Sequence, residues 1–443
     1  MQHLYEAIFY DPKVNLLFRD EAIIQYMLQF ESALAQAQAI CGVIPGEAAQ
    51  VISECCQVAN INKEQLIADA ALGGNVNIPL VKQLTSVVNQ KDAAAAKYVH
   101  YGATSQDVID SAVMLQLKDA IDLIAKGLDV LIEQLTLLVE THRNTVMIGR
   151  SFMQQARPIT FGFKVAHWLD GILRSKEKVD DLLKENFVLQ LGGAVGTFHG
   201  MMGRGLMVAE KMSGLLGLKM LSIPWHTQRD CLAAIATTLG ILNGSLGKIA
   251  KDISLLMQTE IAEVFEPSGK GKGGSSTMPH KRNPVGCIAI LANVQRVPSL
   301  VATMLGTMVQ DHERGTGTWH AEWETISAIV QLTAGSLRKA TEVTNGLEVD
   351  KEQMLRNIEI TKGLIFAENI SLALAEKIGK QEAHELIEKC CQEVQRSGMH
   401  LKNIVLENTV MRQYLTSSEI EGLFDPVRSI GLCEEWIKRV LNI

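Results

Sequence analysis

The sequence is short of proline, with 10 residues, short of aromatics, at 5%, and short of positive charge, with a formal net charge of −7. Few prolines leave long stretches in which nothing interrupts a helix, because proline removes a backbone donor and clashes with the preceding turn. A net negative chain lacks the basic face that nucleic acid demands, which argues against such a partner and leaves any anionic ligand to local positive groups. The 8 cysteines form no Cys-x-x-Cys and no Cys/His spacing for zinc, and two pairs, Cys55 with Cys56 and Cys390 with Cys391, are adjacent. Reduced thiols are expected from that pattern. Met1 to Tyr10 includes Glu6 and lacks a basic start followed by an apolar run, so no secretory leader is expected. No apolar run reads as long and charge-free enough to cross a bilayer, and a cytoplasmic protein without a membrane partner is expected.

What is plentiful is apolar surface, 47% of 443 residues, enough for two or three domains around a large core. Its Ala, Leu, Met and Gln lose little rotamer freedom in helices. Thr104, Ser105 and Asp107 offer N-cap chemistry, and from Val108 the apolar positions Ala112, Leu115, Leu117, Ile121 and onward to Leu138 recur at three- and four-residue steps. A helix carried to about residue 141 would be roughly 50 Å long, too long for one small domain. Similar patterns cover about 161–189, 229–263, 285–309 and 322–345. Helices of that length bury their stripes only against equally long neighbours, so the expected fold is all-α, a central long-helix bundle shared between subunits. The expected division is 1–98, 99–350 and 351–443, with smaller helical domains at each end.

The stretch Gly269-Lys270-Gly271-Lys272-Gly273-Gly274-Ser275-Ser276-Thr277-Met278-Pro279-His280-Lys281-Arg282-Asn283-Pro284 carries the chemistry. A Gly/Lys/Ser run by itself is equally an ordinary flexible loop, and this one does not match the Walker pattern. It supplies free backbone N–H groups, a hydroxyl pair, a lysine and an asparagine, the parts of an anion cradle.

Its Gly-Ser-Ser-Thr-Met-Pro-His-Lys-Arg-Asn-Pro core resembles the signature loop of the fumarase/aspartase superfamily. Two further segments stand in the order of that family, Val99-His100-Tyr101-Gly102-Ala103-Thr104-Ser105-Gln106-Asp107 and Gln155-Ala156-Arg157-Pro158-Ile159-Thr160-Phe161-Gly162. The resemblance implies a homotetramer whose active sites draw the three segments from three subunits, acting without cofactor on a small di- or tricarboxylate. It also implies that Ser275 is the base, that Lys281 and Asn283 meet the developing charge, and that Thr104, Ser105, Gln155 and Thr160 hold substrate. The chemistry accounts for such residues: a proton leaving the carbon α to a carboxylate creates an enediolate, which needs fixed donors and cations. For Thr160, a helix cap or a core hydroxyl is an equal alternative.

Within the superfamily, amine-releasing enzymes such as adenylosuccinate lyase share the Met-Pro-His-Lys-Arg-Asn-Pro wording. They carry histidines where this chain has Gln155 and, further upstream, Gly73-Gly74-Asn75. Expelling an amine requires a general acid. A carboxylate, with an unperturbed pKa of roughly 4, leaves or attacks without one. The remaining wording resembles the branch that lactonises 3-carboxy-cis,cis-muconate in protocatechuate catabolism (the beta-ketoadipate pathway): Leu191-Gly192-Gly193-Ala194-Val195-Gly196-Thr197, Pro224-Trp225-His226-Thr227-Gln228-Arg229-Asp230, and His312-Glu313-Arg314-Gly315 with Trp319-His320-Ala321-Glu322-Trp323. That branch implies a cycloisomerase, with adenylosuccinate lyase as the alternative.

A tricarboxylate needs several cations, and arginine binds a carboxylate through two parallel bonds. Arg229, Arg314, Lys281 and Arg282 are candidates, a plain salt bridge being the alternative for each and the favoured reading for Arg157. Gln228, His226 and His320 are possible substrate contacts; His100 is read as orienting the backbone of the first segment, His280 as contacting either ligand or solvent, and His312 as a structural donor. Trp319 and Trp323 are read as packing. No His-Glu-x-x-His pattern occurs, so no metal site is expected.

Overall fold

The computed structural model describes residues 4–269, 273, 278 and 280–442. The chain folds as two compact units, Met1–Asp129 with Arg174–Gly247 and Ala289–Lys339, and Val130–Leu173 with Lys248–Ile288 and Ala340–Ile443. In chain order the elements used below are helices α1 (Asp20–Ile40) and α2 (Ser105–Thr141), strands β1 (Val146–Ser151) and β2 (Gln154–Thr160), and helices α3 (Phe161–Glu185) and α4 (Asp230–Leu256). Strand β3 (Val264–Phe265), helices α5 (Val285–Gly306) and α6 (Thr318–Thr344), strand β4 (Glu348–Val349) and helices α7 (Lys351–Ile358), α8 (Ala367–Ile378) and α9 (Lys380–Ser397) follow.

The all-α expectation holds, and α2 follows its stripe: Val108, Leu117, Ile121, Leu128 and Leu131 are fully buried. In the first unit, glycines let α4 and α5 approach closely. A Cβ on Gly240 would lie 3.0 Å from Val301, and one on Gly247 would lie 2.7 Å from Val294. Helix α6 begins at Thr318, four residues before the apolar pattern suggests, so the Trp319 and Trp323 rings stack edge to face at 5.0 Å on one helical face. In the second unit, Val146 and Ile148 of β1 share a core with Ile358, Phe366, Ile370 and Leu374.

The expectation that no apolar stretch could cross a bilayer needs correction. Both α4, Asp230–Leu256, and α5, Val285–Gly306, are long and apolar enough by length and composition. A helix packed on all sides carries the same composition as a membrane span, so length and hydropathy alone do not separate the two.

No strand was expected around residues 146–160. The antiparallel hairpin pairs Val146 with Thr160 and Ser151 with Gln154. Its two-residue turn, Phe152-Met153, holds both residues at positive φ, 48° and 66°. Such turns are ordinarily marked by Asn-Gly or Asp-Gly, and Phe-Met hides the signal.

Candidate active site

The first unit holds the first segment and its partners. Helix α2 starts at Ser105, and the Thr104 amide donates to Asp107 Oδ2 at 3.0 Å, closing the first turn. The fully buried Asp107 also accepts the Gly192 and Gly193 amides at 3.1 and 2.9 Å and the Gln190 side chain at 2.9 Å. One carboxylate therefore pins the Leu191–Thr197 wording against the first segment. Gly102, at φ 70°, faces Gly200 so closely that a Cβ would lie 3.3 Å from the Gly200 carbonyl. The Thr104 hydroxyl accepts from Arg314 Nη2 at 2.5 Å, and Arg314 Nε is buried without a partner. Two of the expected ligand-binding residues are thereby joined. Ser105 is half-buried, while Gln228 and His320 are exposed, the His320 ring 4.6 Å from that of Trp323.

Arg229 departs from expectation. It is 2% exposed, grips Asp110 through Nη1 and Nη2 at 2.7 and 3.0 Å, and donates to Glu322 from Nε and Nη2. Trp225 lies 4.7 Å from the guanidinium and Trp319 Nε1 donates to Asp110 at 2.9 Å. Burial opposes the charge on Arg229, but the Asp110 and Glu322 carboxylates override it and hold the guanidinium above its ordinary pKa. Every nitrogen of the fork is engaged, so direct contact with a ligand carboxylate is not open to Arg229 as placed. His226 is likewise buried, its ring 3.3 Å from Asp107. Apolar-stripe acids such as Asp107 and Asp110, three positions apart on α2, were the available signal for this cluster, because a buried carboxylate requires a partner.

The second unit carries Gln155, Thr160, Lys281 and Asn283. Gln155 on β2 donates from Nε2 to the Asn357 carbonyl at 2.9 Å. Asn357 donates in turn to Glu263, which takes a two-pronged grip from Arg150 at 2.9 and 2.6 Å. Thr160 is fully buried and accepts the Phe163 amide at 3.1 Å, capping α3. The cap alternative is the one that the structure supports, and a substrate contact from that hydroxyl is closed off as placed. Arg157 pairs with Glu368 at 2.6 Å.

Ser275 lies outside the described residues, as do its neighbours Gly274, Ser276, Thr277 and Pro279. The loop's base is described. The Asn283 amide donates to the Gly273 carbonyl at 3.0 Å. Arg282 reaches Glu348 at 2.8 Å and the Glu266 carbonyl at 2.8 Å, with Phe265 beneath it, so it straps the loop to the β3–β4 pair. Glu266 caps α5 by accepting the Gly286 and Cys287 amides at 3.0 and 2.8 Å. Lys281 is exposed and has no ion pair among the described residues. A cavity of about 240 Å³ lies here, lined by Glu266, Ser268, Lys281, Arg282 and Asn283 among others. A larger one of about 340 Å³ in the first unit is walled by apolar side chains such as Met27, Ile109 and Trp323, a lining unsuited to a polycarboxylate.

Residues 11–299 match the family described as Lyase, and residues 363–440 match that described as Adenylosuccinate lyase C-terminus. A 3-carboxy-cis,cis-muconate cycloisomerase of Acinetobacter baylyi is 44% identical, the alignment covering 100% of this chain and 98% of the relative. Trans-aconitate decarboxylase 1 of Mycosarcoma maydis is 37% identical over 98% of this chain and 88% of its own. The crystal structure of 3-carboxy-cis,cis-muconate lactonizing enzyme from Pseudomonas putida superposes with a TM-score of 0.96 at 40% identity, covering 100% of this chain and 98% of that one. The chain belongs to the fumarase/aspartase superfamily of lyases.

Proposed function

We propose that this protein is a 3-carboxy-cis,cis-muconate cycloisomerase. One carboxylate oxygen of the substrate attacks an alkene carbon β to another carboxylate, and the alkene electron pair moves toward the α carbon as an enediolate. The Ser275 hydroxyl delivers a proton to that carbon, leaving a carboxymuconolactone; in reverse it removes the same proton. Lys281 and Asn283 hold the transient charge, and Arg314, Thr104, Ser105, Gln228 and His320 hold carboxylates. Gln155 orients substrate, and Arg229 and Thr160 position the segments that carry these groups.

The observation that carries the reading is Gln155. Its amide, tied to the Asn357 carbonyl at 2.9 Å, stands where amine-releasing relatives place an acid, and an amide cannot protonate a leaving amine. A carboxylate needs no such help. The rival reading, adenylosuccinate cleavage, draws on the C-terminal match at residues 363–440. Purified protein offered 3-carboxy-cis,cis-muconate and adenylosuccinate in parallel separates the two by ultraviolet absorbance, and turnover of the second but not the first would overturn the proposal.

The three-part division at about residues 98 and 350 and the cytoplasmic location belong to this reading. So does a homotetramer with sites shared between copies. Helix α5 favours it: its long apolar stretch is only 33% buried within one chain. Neighbouring copies would cover that face. Sedimentation in detergent-free buffer tests this, and a stable monomer would contradict it.

A further inference from the structure

Lys164 lies in the first turn of α3, four residues after the capping Thr160, and Trp168 follows one turn later on the same helical face. Acidic groups surround it but are already taken. Asp252 accepts from Trp168 Nε1 at 2.8 Å and is paired with Lys248. Glu263 is held by Nη1 and Nη2 of Arg150 and by Asn357. Lys164 is half-buried, and among the described residues it has neither an ion pair nor a hydrogen bond to its ammonium. Burial lowers its pKa, Lys248 and Arg150 act in the same direction, and Asp252 and Glu263 offset them only in part. A half-buried cation whose neighbouring carboxylates are already paired with other groups is only partly compensated, and an arriving anion relieves that cost.

Resting on the function proposed above, we infer that Lys164 is a further substrate-binding residue, the cation for one of three carboxylates. The other cations fit this assignment. Arg150, Arg157, Arg229 and Arg282 are each neutralised by Glu263, Glu368, Asp110 with Glu322, and Glu348. Lys281 and Arg314 have no ion pair among the described residues. With Lys164 they are, among the described candidate-site residues, the cations that no carboxylate neutralises, which matches the charge of a tricarboxylate, and Lys164 selects for the third carboxylate over a dicarboxylate of similar length. It shares its segment with Gln155, whose own network runs through Asn357 to the same Glu263.

Calorimetric titration of the full-length protein with tricarballylate and, as a two-carboxylate control, glutarate reads this directly. Lys164→Met should weaken tricarballylate about tenfold or more while glutarate changes less than about twofold, and Lys164→Arg should recover most of the loss. With 3-carboxy-cis,cis-muconate the same variant should raise KM about tenfold and leave kcat within about threefold. The parent protein supplies a second measurement that needs no variant: tricarballylate should protect Lys164 from acetylation, read by peptide mapping. Unchanged tricarballylate affinity in Lys164→Met, no preference of the parent for tricarballylate over glutarate, or unprotected Lys164 would each overturn the inference. A parent that binds tricarballylate through Lys164 yet leaves 3-carboxymuconate untouched would instead sink the function proposed above.

Discussion

Arg314 Nη2 donates to the Thr104 hydroxyl at 2.5 Å, joining two residues that are 210 positions apart in the chain. The contact uses one prong of the fork and leaves Nε buried without a partner. On the function proposed above, this guanidinium, anchored at one end and unsatisfied at the other, receives a substrate carboxylate.

Arg314→Lys keeps the charge but loses the fork. It should lower kcat/KM by roughly 10²-fold, equivalent to about 2–3 kcal/mol of transition-state binding, with an unchanged melting temperature. Steady-state kinetics beside thermal unfolding checks this, and parent-like kcat/KM would remove Arg314 from the site.

Arg229 should behave in the opposite way. Arg229→Met leaves Asp110 and Glu322 buried without their cation and should destabilise the fold by about 3–5 kcal/mol, read by urea unfolding. A stable Arg229→Met protein with a raised KM would return Arg229 to substrate binding.

These two arginines show where the sequence was legible. The long helices announced themselves because their apolar stripes run uninterrupted by proline. The loop and the two other segments were recognisable as wording. An arginine within such wording reads the same whether its fork faces a ligand or carboxylates 119 and 93 positions away, as Arg229 does. The Phe152-Met153 turn was invisible because positive φ at both positions contradicts local preference, and it persists only where surrounding anchors such as the Arg150–Glu263 pair hold it.

Gly286 tests the mounting of the loop. A Cβ there would lie 2.5 Å from Val343 and 3.3 Å from both Glu266 oxygens that cap α5. Gly286→Ala should cost about 1–3 kcal/mol in chemical unfolding through overpacking. An unperturbed unfolding midpoint would mean that Glu266 caps α5 with room to spare.

His100 gives a pH dependence. Its Nδ1 lies 2.7 Å from Glu31, and although burial disfavours its charge, that carboxylate holds its pKa above the ordinary histidine value. A raised folded pKa contributes stability fully below the unfolded value, about 6.5, and loses it as pH climbs through the folded value. His100→Asn, which tolerates the observed φ of 59°, should therefore lower the melting temperature more at pH 6 than at pH 9. Equal losses at the two pH values would contradict a charged pair.

The most direct test of the central claim follows the proton. Parent protein and Ser275→Ala are each mixed with 3-carboxy-cis,cis-muconate in deuterated water, and the product is read by NMR. The account predicts a lactone carrying one deuterium on the carbon beside the new C–O bond, formed roughly 10²–10⁴-fold more slowly by a fully folded Ser275→Ala variant. Lactone formed at the parent rate by Ser275→Ala, or no lactone from the parent protein, would contradict it.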